Sequence, residues 1–324
     1  MDEQRGLART VVGDGIPLLV ATAGVLILAG GFAMFLALTG HFLPHDLAYL
    51  GMSADELCAV ANCHVVHFML HDRMAFGGSV FGIGVLYGYL ALYPLRRGEA
   101  WAWWLVAGSG VLGFASFLGY LGFGYLDTWH GLITLALLPV FVVGLAATRR
   151  LLHAPTTPAS LLRGSLPDIR TRAGLGRASL MLGTAGTAVA GLEVFRIGVM
   201  ETFVPADIVF LGVTADYLNS IDAGLVPLIA HDRAGFGAAV VIQALLAFFC
   251  LWCGRTGVEV SRALWQTLLI AGVVSLGAAI GTHFIVGYLD FWHLAPPVVA
   301  AVSLVLGLAL ALPRQSAVTR SSPH

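Results

Sequence analysis

The chain contains no lysine; all 17 of its basic positions are arginine. That excludes a Schiff base on a lysine amine and a phosphate loop that ends in lysine. Charge of either sign is scarce, at 11% of residues against roughly 25% in soluble domains. No glycine-rich nucleotide fingerprint stands between a strand and a helix. ATP-driven and pyridoxal chemistry are excluded on these grounds.

Apolar residues fill the space that charge leaves. They make up 58% of the chain, and the mean hydropathy is +0.87. Runs of about 20 apolar residues, enough to cross roughly 30 Å of hydrocarbon, recur throughout. The sequence therefore predicts an all-α polytopic membrane protein with spans at 15–39, 66–94, 101–123, 129–148, 178–200, 226–253, 264–286 and 292–312. The first run is too long for a signal-peptide core and is read as a retained span. Lipid-exposed backbone must satisfy its own hydrogen bonds, and barrel-type alternation is lacking, so the spans are helices. Arg96, Arg97, Arg149, Arg150, Arg163, Arg170, Arg172 and Arg177 fall on one side, whereas the opposite loops carry Asp46, Asp55, Glu56, Glu201, Asp207, Asp216 and Asp222 without arginine. The positive-inside rule then places both termini in the cytoplasm of a cell (inner) membrane.

The eight spans read as a tandem duplication. FLPHDLAYLGMSADEL (42–57) aligns with FVPADIVFLGVTADYL (203–218) at eight identical positions. HDRMAFGG (71–78) returns as HDRAGFGA (231–238), and GYLDTWH (124–130) as GYLDFWH (287–293). Residues 1–150 form the first four-helix repeat, 151–177 a cytoplasmic linker and 178–324 the second repeat. An even number of spans per unit inserts both copies the same way up, related by an axis along the membrane normal.

The repeated phrases hold most of the chemistry. Counting back from the cytoplasmic arginines puts His71 near the outer end of span two, at the level of the turn bearing Asp127 and His130. The second half repeats this with His231, Asp290 and His293. Residues three apart on a helix are neighbours, so Asp-x-x-His presents both groups on one face. Two histidines and a carboxylate form a ligand set for non-haem iron and suit zinc, manganese or copper. The expected ligand groups are therefore His71, Asp127 and His130, and His231, Asp290 and His293. Asp72 and Asp232 would orient an imidazole or pair with arginine. Arg73 and Arg233 would hold an anionic head group, a haem propionate or a partner Asp. The alternative is a buried polar clasp that ties helix ends together, since ionisable groups at membrane depth are costly.

The halves also differ. Cys58, Cys63, His64 and His67 occur only in the first, where a disulfide or a thiol-imidazole copper site is open. Glu193 and Arg196 occur only in the second, and His283 stands where the first half has Tyr120, seven residues before Asp290. Cys250 and Cys253 form a C-x-x-C at the other end of span six.

This layout resembles that of the heme A synthases, eight-span proteins of two four-helix halves. Each half there supplies a histidine pair from its second and fourth helices near the outer face, and the first outer loop can carry a cysteine pair. The matching elements are His71 with His130, His231 with His293, and Cys58 with Cys63. The Glu that precedes that family's His-Arg pair by three residues is lacking between Leu57 and Met69, and Asp72 is inserted between His71 and Arg73. The resemblance implies bis-histidine haem. The surrounding carboxylates favour a bare divalent transition metal instead.

The function expected from the sequence is thus a membrane metalloprotein, an oxidoreductase acting on a membrane lipid or lipid-soluble substrate, with an unidentified redox partner and no nucleic acid. The alternatives are a haem protein, a duplicated transporter or channel, and a non-catalytic accessory subunit.

Overall fold

A computed structural model describes residues 12–116, 122–125, 128–153, 157–254 and 260–312, with positions 129 and 130 as backbone alone. Every regular element among them is a helix. The long helices are α1 (Ile16–Thr39), α4 (Cys63–Leu92), α5 (Ala100–Ser116), α6 (Thr128–Thr148), α7 (Arg172–Met200), α10 (Leu225–Cys253), α11 (Arg262–Val286) and α12 (Phe291–Leu310). Two pairs of short helices cap one end: α2 (Pro44–Leu50) with α3 (Ala54–Val60), and α8 (Pro205–Leu211) with α9 (Ala215–Ile221). Among the described residues seven helices are long and apolar enough to cross a membrane, and α5, with 17 described residues, falls short of that length. The chain is a multi-pass helical membrane protein.

Burial ranks the helices. Within the apolar window of α4, 67% of residues are buried, and within that of α10, 50%, whereas α12 reaches only 11%. The other long helices therefore surround a central pair. They turn Leu28, Phe32 and Phe35 of α1 and Leu182, Val189 and Leu192 of α7 outward, as helices do when lipid is the solvent. Association without a hydrophobic driving force relies on close backbone approach. Gly30 of α1 and Gly77 of α4 supply it: a Cβ on Gly30 would lie 2.5 Å from the Gly77 carbonyl oxygen, and one on Gly77 would lie 2.8 Å from that of Gly30. In the second half Gly237, the counterpart of Gly77, meets the backbone of Gly191 and Phe195 on α7.

The packing order decides where the site forms. Each first helix packs on its own second helix, α1 on α4 and α7 on α10. Each third helix crosses over, so that α11 lies against α4 and α5 against α10. The fourth helices α6 and α12 pack chiefly on α1 and α7. A residue of α4 therefore meets residues of α10 and α11 before any of α6.

The cap helices begin on local signals. Ser53 accepts from the Glu56 amide while Glu56 returns to the Ser53 amide, a reciprocal cap. Asp46 and Asp207 likewise accept from the amides of Leu43 and Val204. Cys58 and Cys63 are joined in a disulfide where α3 meets α4, which settles their role in favour of the disulfide.

Candidate functional site

His71-Asp72-Arg73 begins about 12 Å from the start of α4, by rise per residue, and His231-Asp232-Arg233 about 9 Å from the start of α10. Because α4 and α10 are central and adjacent, the two phrases meet. Arg73 donates from Nε to Asp232 Oδ2 at 2.7 Å and from Nη1 to Asp46 Oδ2 at 2.5 Å. Arg233 donates from Nε to Asp72 Oδ2 at 3.4 Å and from Nη1 and Nη2 to the carboxylate of Asp207. Each guanidinium thus bridges the cap carboxylate of its own half and the helix carboxylate of the other. Tyr125 and Tyr288 complete the symmetry by donating to Asp46 at 2.6 Å and to Asp207 at 2.7 Å. Arg73 also lies over the Phe42 ring at 5.6 Å and Arg233 over Phe68 at 4.7 Å.

These groups are out of solvent. Asp46 and Asp207 are 0% exposed, Asp72 is 1% and Arg233 is 4%. Burial pushes the Asp46 carboxyl up, but the charge of Arg73 and hydrogen bonds from Arg73 and Tyr125 outweigh it and hold the group below the usual carboxylate range. Asp207 is driven further down, its burial being overcome by hydrogen bonds from His293 and Arg233 and by the Arg233 charge. Tyr125 and Tyr288 move the other way, raised by burial and by the carboxylates beside them. Four carboxylates share two guanidiniums, an excess of two negative charges. Such a layer calls for further cations.

Histidines surround this excess. His71 Nδ1 meets Asp72 Oδ1 at 2.9 Å, and His231 Nδ1 meets Asp232 Oδ1 at 3.1 Å. On the other side of His71, its Nε2 faces Nε2 of His283 at 3.1 Å, and the two rings stand at 68°. His283 Nδ1 is 2.7 Å from the carbonyl oxygen of Tyr288, which can only accept. Both Nδ1 atoms thus face acceptors and carry the hydrogens, which leaves the two Nε2 atoms in contact with each other. Both rings are 4% exposed, so water does not separate them. A proton held between the two rings satisfies a contact of this length.

The ligand sets expected from the sequence are divided differently. Asp127 and the His130 side chain lie outside the described residues. His231, Asp290 and His293 do not share one centre. His231 lies beside Asp232, Tyr125 and Phe123. Asp290 caps α12, accepting from the amides of Trp292 and His293, and holds the His293 ring at 2.9 Å. His293 Nε2 also approaches Asp207 Oδ1 at 3.3 Å. Among the described residues no group of three or more His, Cys, Asp or Glu side chains is disposed to hold a metal. His71 instead engages a histidine of the opposite half, because α11 crosses onto α4. The residues that the expected ligand sets left out are His283, Asp46, Asp207, Tyr125 and Tyr288. Their signals were present: the His-for-Tyr replacement at position 283, the repeated P-x-D of the cap loops and the GYLD repeats. Comparison with protein-family models, curated proteins and solved structures finds no match.

Proposed function

We propose that the His71–His283 pair is the working centre of an eight-span membrane oxidoreductase and that it binds one divalent transition metal. The observation that carries this is the facing pair of Nε2 atoms whose Nδ1 partners are a carboxylate and a backbone carbonyl. Those are the groups that ordinarily orient metal-bound imidazoles. Two ligands at about 2.1 Å from a common ion and 3.1 Å apart subtend about 95°, a cis pair that leaves other positions open. Open positions are what a redox centre needs and a closed structural site lacks. Iron, copper, manganese and zinc all accept imidazole. Haem held between these two rings does not fit, since trans ligands at that bond length would stand about 4 Å apart.

The finer architecture belongs to the same reading. The chain has eight spans, the two halves are a duplication, and both termini face the cytoplasm. The exchanged Arg–Asp pairs and the disulfide at the capped end support this, because disulfides persist outside reducing compartments. The likeness to heme A synthases then concerns the span plan, with the histidine pairing moved from within a half to between halves.

A second occupant has its own support. An N···N distance of 3.1 Å is also that of a hydrogen bond, and no third protein ligand joins the pair among the described residues. A shared proton would make the pair a relay for a transporter. Elemental analysis of the purified protein decides between them. The metal reading expects about one equivalent per chain, removed by His283→Ala and retained by His231→Ala. Metal-free protein with an intact fold would leave the proton.

A further inference from the structure

A cavity of about 150 Å³ lies between α1, α4 and α11. Its walls are Leu70 and Met74 of α4, Ala37 and Leu38 of α1, and Ile285 and Val286 of α11. The rim residues Leu38 and Ile285 are 58% and 66% exposed, so the opening lies on the apolar outer surface. Two polar side chains also line it, His67 and Thr282. Thr282 is 3% exposed, and among the described residues its hydroxyl makes no hydrogen bond to a protein group. By contrast, Thr22, Ser79, Ser109 and Ser275 on neighbouring helices each return to a carbonyl four residues back. A hydroxyl that lines an apolar cavity without a protein partner is left for a ligand to satisfy. The position is also telling: Leu70 and Thr282 directly precede His71 and His283, and His67 and Met74 share the helical stripe of His71.

We propose that this cavity receives the carbonyl-bearing six-membered ring of a membrane-dissolved molecule whose apolar tail leaves between α1 and α11. Cavities of this size hold one benzene-sized ring. Thr282 donates to a ring carbonyl, His67 donates to a second oxygen at the mouth, and the remaining walls exclude water. The inference names the substrate class of the proposed centre and rests on that reading for its purpose, but binding is measured separately from metal. The full chain in nanodiscs is titrated with a benzoquinone bearing a decyl tail, and with decylcyclohexane as the ring without oxygens. Saturable binding of the quinone alone is expected. Thr282→Val should weaken it about fivefold to tenfold, and Ala37→Phe should abolish it by filling the space, with each variant's thermal unfolding checked against the parent. His71→Ala should lose metal yet keep quinone binding, which separates the two readings. No saturable binding, equal binding of the oxygen-free ring, or parent-like binding in both cavity variants overturns the proposal.

Discussion

Arg73 and Arg233 show why single side chains matter at this depth. Each bridges two carboxylates, so removing one strands both. Arg233→Ala is expected to destabilise the fold by roughly 3–5 kcal/mol, the cost of an uncompensated buried charge, read as a loss of folded protein in thermal or detergent unfolding. Arg233→Lys should recover little, because an ammonium cannot serve Asp72 and Asp207 from one planar fork. Acidity follows from the depressed carboxyls. Asp46 and Asp207 favour the folded state fully above the unfolded carboxylate value of 3.8 and lose that contribution only as pH falls below it, through the lower folded values. The stability difference between the parent and Asp46→Asn should stay constant on the neutral side and shrink in acid. A difference that grows in acid would contradict this sign. The two tyrosines, raised above 10.0, keep their hydroxyl protons until alkali deprotonates the unfolded chain first.

Helix contacts explain what could and could not be read in advance. The spans were legible from apolar run length, and α4, α10 and α11 begin and end within a few residues of expectation. The short cap helices follow from P-x-D turns and from Ser53 with Glu56. The histidine partner was not legible, since hydropathy states that α4 and α11 are apolar but not that α11 crosses to the other half. Asp46 looked like a solvated loop acid for the same reason, because its burial depends on an arginine 27 residues away. The exchanged ion pairs give a direct check of the crossing. Arg73→Asp alone should prevent folding, and adding Asp232→Arg should restore part of the folded yield. Failure of the pair to rescue, while the single variants fold normally, would deny the contact. Close backbone packing predicts that Gly30→Val destabilises by about 1–3 kcal/mol through overpacking against Gly77.

At the scale of the molecule, two halves share one polar layer beneath the capped end. Neither half satisfies its own charges, as Asp72 depends on Arg233 and Asp232 on Arg73. Residues 1–150 and 151–324 produced as separate chains should therefore associate, and Arg73→Ala in the first should weaken recovery of the second. Cysteines introduced into 151–177 should react with a membrane-impermeant reagent only from the cytoplasmic face, and those in 42–57 only from the other. His283 has no histidine counterpart in the first half, where Tyr120 stands in its place, so one reactive centre is expected where the repeats alone would suggest two.

The central claim is that imidazoles from opposite halves close on a single ion. X-ray absorption at the metal edge of the purified full chain tests it most directly. Scattering from two imidazoles at about 2.1 Å, with the metal-edge signal lost in His283→Ala and kept in His231→Ala, is the predicted result. A spectrum unchanged by His283→Ala, or one dominated by thiolate sulfur, would contradict it.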